Sequence, residues 1–308
     1  MERQEAARPE EQRREPVRVA IIGTPRSGNC WLMHLLARAY DVPGLFPSVP
    51  ANVDWPRLPA ECVLILHWRR FGTGLETALA DNGFRTVVLA RHPLDVLISV
   101  LHHTLHYPKE DWLYNEGGTE EPIRGASPCS TAFLDYATDP RGSALLSVSR
   151  EWWPFSPSRR VCYEDLVADP QEELGRLVGA LGVPARRPIA EVVAGSDLTG
   201  LKQLHPERKY HFWKGQPALW RSLLPAREAQ IIAGAQPASF TDFGYTCDPD
   251  LALDLRLAQF EGIGPISLSV ARGLRRLSLR YPRISSAVKW VVTRRASQPA
   301  VGPAFESA

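Results

Sequence analysis

The residues best suited to chemistry begin with a glycine-bounded loop near the start of the sequence. Gly23 and Gly28 have the GxxxxG spacing of a P-loop, in which backbone N–H groups at a helix N-terminus bind phosphate. A loop that handles Mg-ATP continues with Lys and with Ser or Thr, whereas these positions here are Asn29 and Cys30. Arg26 places a cation inside the loop instead, and a guanidinium can neutralise charge on a leaving oxygen. The loop predicts a phosphate site, and the competing interpretation is a glycine turn with a surface arginine.

A second anion site is favoured by Arg91, Asp95 and Ser99, which are spaced four residues apart. Arg91 follows a β-branched run, and Asp95 and Ser99 fall on the same side of a helix that Pro93 is well placed to begin. Parallel sheets bind ligands at the carboxyl ends of their strands, so a guanidinium and a hydroxyl there would bind a phosphate. The alternative is an Arg–Asp pair that caps the helix, with Ser99 incidental.

Histidines are the candidates for proton transfer. His67 follows the apolar run Leu-Ile-Leu, and an ordinary pKa of about 6.5 suits a base at neutral pH. Its alternative role is to cap the strand and stack on Trp68. His102 and His106 have the spacing of two metal ligands on a helix, with His103 between them. Because no third ligand follows at a persuasive spacing, we expect no metal site from these three residues.

The elements that must position these residues follow from the apolar pattern. Strands are predicted at 17–23, 62–66, 86–90 and 159–163, and helices at 31–40, from Pro93, 131–136, 143–153 and 170–181. We expect an irregular connection at 43–59 and a long loop over 107–142 that is interrupted by the short helix. Strands that alternate with helices predict an α/β fold, with a central parallel sheet flanked by helices.

The composition is that of an ordinary globular protein. The chain has 308 residues, a net charge of +2, 44% hydrophobic and 23% charged residues, which excludes disorder throughout and any global attraction to nucleic acid. Five cysteines without a CxxC pair suggest neither a disulfide framework nor a zinc module. Residues 1–16 lack the apolar stretch of a secretory signal, and no apolar run reaches membrane-spanning length. We therefore expect a cytoplasmic enzyme.

The chain is predicted to have three regions: a disordered tail at 1–16, a single α/β domain at 17–247 and a basic, helical extension at 248–308. Residues 264–298 contain eight Lys or Arg and no acid, with apolar residues at helical spacing. Such a helix fits an anionic membrane surface or an acidic partner, reached through residues 264–295. The alternative is a helix docked on its own domain with solvated arginines.

Several segments together resemble one enzyme family. The run from Gly23 to Trp31, Gly-Thr-Pro-Arg-Ser-Gly-Asn-Cys-Trp, looks like the 5′-phosphosulfate loop of sulfotransferases that use 3′-phosphoadenosine 5′-phosphosulfate (PAPS). That loop usually reads Tyr-Pro-Lys-Ser-Gly-Thr-Thr-Trp, with Arg for Lys in many bacterial members. Tyr163-Glu164-Asp165 and the Glu-Trp-Trp at 151–153 also have counterparts in the family. Phe212 to Gly215, followed by Trp220, resembles the C-terminal Arg-Lys-Gly loop, with Trp213 in place of Arg. The resemblance extends from about residue 17 to 220.

The resemblance implies a P-loop NTPase-like three-layer fold and transfer of a sulfuryl group from PAPS, the donor substrate, to a hydroxyl or amine. Arg26 would contact the bridging oxygen, and His67 would be the base, in a reaction that needs no metal. The donor-binding residues implied are Arg26, Ser27, Gly28, Asn29, Cys30, Trp31, Arg91, Ser99, Tyr163, Lys214 and Gly215. The resemblance also implies that His102, His103 and His106 contact the acceptor, because the family has aromatic or His residues there that line the acceptor pocket. The acceptor would be a small molecule, glycan or lipid, and no nucleic acid beyond the nucleotide donor is expected.

Two other functions remain open from the sequence. A P-loop kinase for a small molecule would need a Lys and a Mg²⁺-binding hydroxyl that the 23–30 loop lacks. A catalytically inactive nucleotide-binding protein is favoured by Trp213, because the missing arginine removes one cation from the expected 3′-phosphate site.

Overall fold

The computed structural model describes residues 15–47, 53–106, 120–155, 159–204 and 211–250. These residues divide into two compact units. The first unit contains the described parts of 15–90 and 151–204, and the second contains those of 91–150 and 211–250. The predicted basic extension, apart from residues 248–250, and the predicted tail, apart from Glu15 and Pro16, lie outside the described residues.

The first unit is built on a five-stranded parallel sheet with the strand order β2-β3-β1-β4-β5. The strands are β1 (Arg18–Gly23), β2 (Gly44–Leu45), β3 (Cys62–Leu66), β4 (Arg85–Ala90) and β5 (Arg159–Cys162). In the centre, Ala20 of β1 pairs with Leu64 of β3 and with Thr86 of β4. The central strands β1, β3 and β4 are buried apart from their first residues Arg18 and Arg85, as their continuous apolar runs predict for a sheet covered on both faces. The α/β fold class is confirmed.

Helices account for most of the remaining described residues. In chain order they are α1 (Asn29–Tyr40), α2 (Leu75–Asp81), α3 (Pro93–His106), α4 (Thr131–Thr138), α5 (Pro140–Trp152), α6 (Tyr163–Ala168), α7 (Pro170–Leu181), α8 (Ile189–Ala194), α9 (Leu198–Leu204), α10 (Trp220–Leu223), α11 (Ala226–Ala235) and α12 (Pro237–Thr241). Short 3₁₀ turns occupy Trp55–Arg57 and Glu121–Ile123. Across the described ranges, every helix is too short or too polar to cross a bilayer.

The helices follow from local sequence signals. In α1, Leu32, Leu35 and Leu36 lie on one face and are buried in the core of the first unit, as their spacing predicts. The bounds of α7 match the prediction, because the Asp169 side chain accepts a hydrogen bond from the Glu172 N–H at its start and Gly182 ends it with φ +73°.

The differences from the prediction lie at element ends and in short elements. Helix α1 begins at Asn29 rather than Trp31, and α5 at Pro140 rather than Ser143. Strand β5 ends at Cys162, because Tyr163 is the first residue of α6. The connection predicted to be irregular contains the two-residue strand β2, which is too short to produce an alternation pattern.

Candidate functional site

The glycine loop after β1 has an unusual backbone that is suited to binding an anion. Arg26 and Gly28 both have positive φ angles, +71° and +100°, and α1 starts immediately afterwards. The Ser27 N–H donates to the Thr24 carbonyl at 3.2 Å, and the Asn29 amide Nδ2 donates to the same oxygen at 2.9 Å. The Ser27 hydroxyl is fully buried and has no hydrogen-bond partner among the described residues. A buried hydroxyl of this kind indicates a place for a polar ligand.

Aromatic residues of the first unit pack around this loop. The Tyr163 ring lies against the Cα of Gly28, so closely that an added Cβ would come within 2.4 Å of Tyr163 Cδ2. The Trp31 ring meets Tyr163 edge to face, with centroids 6.1 Å apart, and its Nε1 donates to the Ser196 carbonyl at 2.9 Å. Two residues that the resemblance assigns to donor binding therefore lie together beside the loop.

Gly28→Ala is expected to lower both stability and donor binding. The φ of +100° costs an L-residue roughly 1–3 kcal/mol, and the new Cβ would overlap the Tyr163 ring, so the loop must shift. Gly83→Ala is the matched control, because its φ is +68° and an added Cβ would meet nothing within 4 Å. Thermal melting and nucleotide titration of both variants check this. Equal effects of the two substitutions would contradict the steric role of Gly28.

His67 follows β3 and is held by the carbonyl of Gly23, the last residue of β1. Its Nδ1 lies 2.7 Å from the Gly23 oxygen. Because a carbonyl can only accept, Nδ1 carries the hydrogen in the neutral ring and Nε2 carries the lone pair. Burial lowers the pKa of His67 to about 4, with a smaller lowering by the charge of Arg26, while the Gly23 bond opposes the shift. His67 is therefore neutral at pH 7, with Nε2 able to accept a proton.

The segment that follows His67 is fixed by the end of α5. The Glu151 carboxylate is 7% exposed and accepts hydrogen bonds from Arg69 Nε at 2.7 Å and from the Arg70 N–H at 3.0 Å. Trp152 is fully buried, and its Nε1 donates to the Trp68 carbonyl at 2.9 Å. In the sequence, the Glu-Trp-Trp at 151–153 could be interpreted only through its resemblance to the family. The structure shows that its first two residues anchor the backbone next to His67.

Phe46 is the aromatic neighbour of His67. The two rings meet edge to face with centroids 5.4 Å apart, and Phe46 is 38% exposed. This contact replaces the stacking on Trp68 that the sequence left open as an alternative for His67. The sequence carried no signal for it, because Phe46 lies in the connection predicted to be irregular.

In the second unit, the residues predicted to form a second anion site lie on α3 or just before it. Arg91 directly follows β4 in the chain, and Arg91, Asp95 and Ser99 are all buried. Asp95 does not cap its own helix. Its Oδ2 accepts from the Ala218 N–H at 2.7 Å, and its Oδ1 accepts from the Trp220 N–H at 2.9 Å. Burial raises the pKa of Asp95, and the nearby positive charge of Arg91 counteracts this.

His92, next to Arg91, has a structural role. Its ring stacks on Trp220 with centroids 5.1 Å apart, accepts from the Leu94 N–H at Nδ1 and contacts the Thr246 carbonyl through Nε2 at 3.1 Å. The bond from Leu94 requires a lone pair on Nδ1, so Nε2 carries the hydrogen that the Thr246 carbonyl accepts. His92 thus fixes the start of α3 against residues of the same unit.

The residues that resemble the Arg-Lys-Gly loop, Phe212 to Gly215, lie shortly before Trp220 in the sequence. Trp213, which stands where the family has Arg, stacks on His102 with centroids 4.2 Å apart and an interplanar angle of 13°. The Lys214 ammonium lies 5.6 Å from the Trp213 ring centroid, at cation–π distance. Gly215 adopts φ +63°, and Lys214 is exposed. The departure from the family thus has a packing role within the second unit.

The three histidines predicted to contact the acceptor lie on α3. His102 and His103 are almost completely buried, and His106 lies 4.5 Å from His102 between ring centroids. His103 meets His211 edge to face at 5.9 Å. Their role toward an acceptor stays a prediction.

Each unit therefore gathers its own part of the predicted site. The first brings together the 23–30 loop, Trp31, His67 and Tyr163, and the second contains Arg91, Ser99, Lys214 and Gly215. Sequence reasoning missed the Gly23 carbonyl on His67 and the partners of Asp95. The only sequence signal for Asp95 was its spacing of four residues from Arg91 and from Ser99. That spacing does not indicate that Asp95 accepts hydrogen bonds from the backbone of Ala218 and Trp220, which are distant in sequence.

Comparisons with known proteins bear on the fold. A mouse sulfotransferase complexed with PAP is similar with a TM-score of 0.55 and 14% identity, over 74% of this chain and 85% of that chain. A retinol dehydratase in complex with androsterone and inactive cofactor PAP gives a TM-score of 0.48 and 15% identity, over 80% of this chain and 84% of that chain. No family model matches the sequence, and no curated protein matches it significantly. The first similarity confirms the expected P-loop NTPase-like fold of PAPS-dependent sulfotransferases.

Proposed function

We propose that this protein is a sulfotransferase that moves a sulfuryl group from PAPS to a hydroxyl or amine of its acceptor, leaving adenosine 3′,5′-bisphosphate (PAP). The observation that carries the proposal is the buried Ser27 hydroxyl at the N-terminus of α1, without a hydrogen-bond partner among the described residues and next in sequence to Arg26. A bound phosphate would give this hydroxyl an acceptor and would lie at the positive end of the helix. Asn29 and Cys30 disfavour the alternative of Mg-ATP.

The proposed reaction uses one cation, Arg26, and one base, His67. Bound PAPS would supply an activated sulfuryl group whose leaving group is a phosphate. Arg26 would stabilise the negative charge that develops on the bridging oxygen. His67 would take the acceptor proton at Nε2, since Nδ1 is engaged by Gly23. Neither role requires a metal.

The remaining donor contacts follow from residue chemistry. Trp31 and Tyr163 offer aromatic surface to the adenine. The Ser27 hydroxyl and the N–H groups of residues 28–30 offer donors to the 5′ phosphate, even though the Cys30 thiol is a weak donor. Arg91, Ser99, Lys214 and the Gly215 N–H would bind the 3′ phosphate. Arg91 and Ser99 support this assignment, because they are a buried cation just before α3 and a buried hydroxyl in its second turn.

Calorimetric titration with PAP in the absence of Mg²⁺ tests the proposal. We expect a dissociation constant in the micromolar range or below, binding much weaker for AMP and ATP, and loss of PAP binding in Arg91→Ala. A positive result is followed by incubation with ³⁵S-labelled PAPS and a panel of phenols, alcohols, amines, glycans and lipids. Transfer of label to one of these classes identifies the acceptor.

Three results would overturn the proposal. Absence of PAP binding would mean that Cys30 and Trp213 have disabled the donor site, whereas Mg²⁺-dependent consumption of ATP would favour the kinase. PAP binding without transfer to any acceptor class would favour the inactive nucleotide-binding protein.

A further inference from the structure

The Asp95 carboxylate joins two segments that are distant in sequence. It lies on α3 one turn after Arg91 and one turn before Ser99, and it is 1% exposed. Both of its oxygens accept backbone N–H groups from the segment that follows Lys214 and Gly215, at Ala218 and Trp220, and the first bond spans 123 residues. All these residues belong to the second unit.

We infer that Asp95 is a positioning residue that fixes the Lys214–Gly215 loop to α3, which bears Ser99 and directly follows Arg91 and His92, and so sets the preference of the donor site for a 3′ phosphate. The inference rests on the proposed function, because it assigns Asp95 a part in that donor site. Asp95 itself would not touch the nucleotide, since both of its oxygens already accept hydrogen bonds from the backbone.

The two hydrogen bonds from the Ala218 and Trp220 N–H groups to Asp95, here called the clamp, require a carboxylate. Ala218 adopts φ +57°, a conformation that L-residues disfavour and that needs support from its surroundings. The two N–H groups lie two residues apart, and each meets a different oxygen of the same side chain. An asparagine has one oxygen and one NH₂ group, so one backbone N–H would face a donor and lose its acceptor.

The position of the clamp links it to phosphate recognition. Lys214 lies four residues before Ala218, whose φ of +57° is one that an L-residue adopts only with support from its surroundings. Arg91 lies just before α3 and close enough for its charge to act on the Asp95 carboxylate. Releasing the loop would therefore let Lys214 move relative to Arg91, and binding of a dianion would depend on both.

Asp95→Asn tests the inference when PAP and AMP affinities are compared. We expect the affinity for PAP to fall roughly 10- to 100-fold, while that for AMP, which lacks the 3′ phosphate, changes by less than about 3-fold. Gln236→Ala is the matched control. Gln236 is also buried in the second unit and makes two hydrogen bonds, to Ser143 and to the Ala137 carbonyl. We expect Gln236→Ala to lower the melting temperature and to leave the ratio of PAP to AMP affinity unchanged.

The outcomes separate this inference from the proposed function. Failure of the wild-type protein to bind PAP overturns both, whereas an unchanged affinity ratio in Asp95→Asn, with wild-type binding intact, overturns the positioning role alone. If Asp95→Asn does not fold, amide hydrogen exchange of the wild-type protein tests the positioning role of Asp95 instead. The inference expects the Ala218 and Trp220 amides to exchange more slowly with PAP bound than without it, and equal rates in the two states overturn it.

Discussion

Arg26→Ala is expected to lower kcat for sulfuryl transfer by roughly 100- to 1,000-fold, the loss that follows removal of one preorganised group from a site of developing charge. The guanidinium lies in the loop between β1 and α1, and its contribution grows as the bond to the leaving oxygen breaks. The affinity for PAP should fall much less, because the loop amides and Ser27 remain. Steady-state rates with labelled PAPS and calorimetry with PAP measure the two effects separately.

Two variants control this experiment. Arg26→Lys keeps the cation that many sulfotransferases have at this position, and it should recover a large part of the lost rate. Arg176→Ala removes an exposed arginine of the same unit, paired with Glu173, and it should leave kcat unchanged. A wild-type rate in Arg26→Ala would remove Arg26 from its role in stabilising the leaving group.

His67→Ala is expected to lower kcat by roughly 100- to 10,000-fold, the usual range for loss of a positioned general base. The affinity for PAP should stay close to that of the wild-type protein, because His67 holds no donor group in the proposed mechanism. Labelled transfer and calorimetry measure the two quantities. A variant that keeps its turnover would show that another group, or water, accepts the proton.

The titration of His67 gives an independent test of its environment. Burial lowers its pKa to about 4, so an NMR titration of the imidazole resonance, assigned by its absence in His67→Ala, should have its midpoint near pH 4. Between pH 4 and 6.5 the unfolded chain binds this proton more tightly than the folded protein does. Stability therefore rises with pH across this window, and His67→Ala should flatten that part of the curve. A midpoint near 6.5 would contradict a neutral, partly buried imidazole.

The local parts of the fold were predictable because their signals are local. The apolar runs around Ile21 and Ile65 predict buried parallel strands, and the caps of α7 fix both of its ends. The two-residue strand β2 could not be predicted, because its identity depends on pairing with β3 rather than on any pattern of its own.

The candidate site could be proposed from the sequence where the chemistry of a side chain marks the residue. Arg26 and His67 are examples, and their roles stay predictions. It was not predictable where the partner is a backbone atom elsewhere in the chain, such as the Gly23 carbonyl for His67 or the Ala218 N–H for Asp95. Any residue can supply such an atom, so its identity leaves no trace in the sequence.

The order in which the strands are made has a consequence for biosynthesis. Strand β4 pairs with β1 on one side and with β5 on the other, but residues 91–158, largely from the second unit, are translated between β4 and β5. Until Cys162 has left the ribosome, one side of β4 offers unpaired N–H and C=O groups along a run of valine and leucine. Such an edge is a template for pairing with other chains, so nascent chains that stop within the second unit should aggregate rather than persist as a stable fragment.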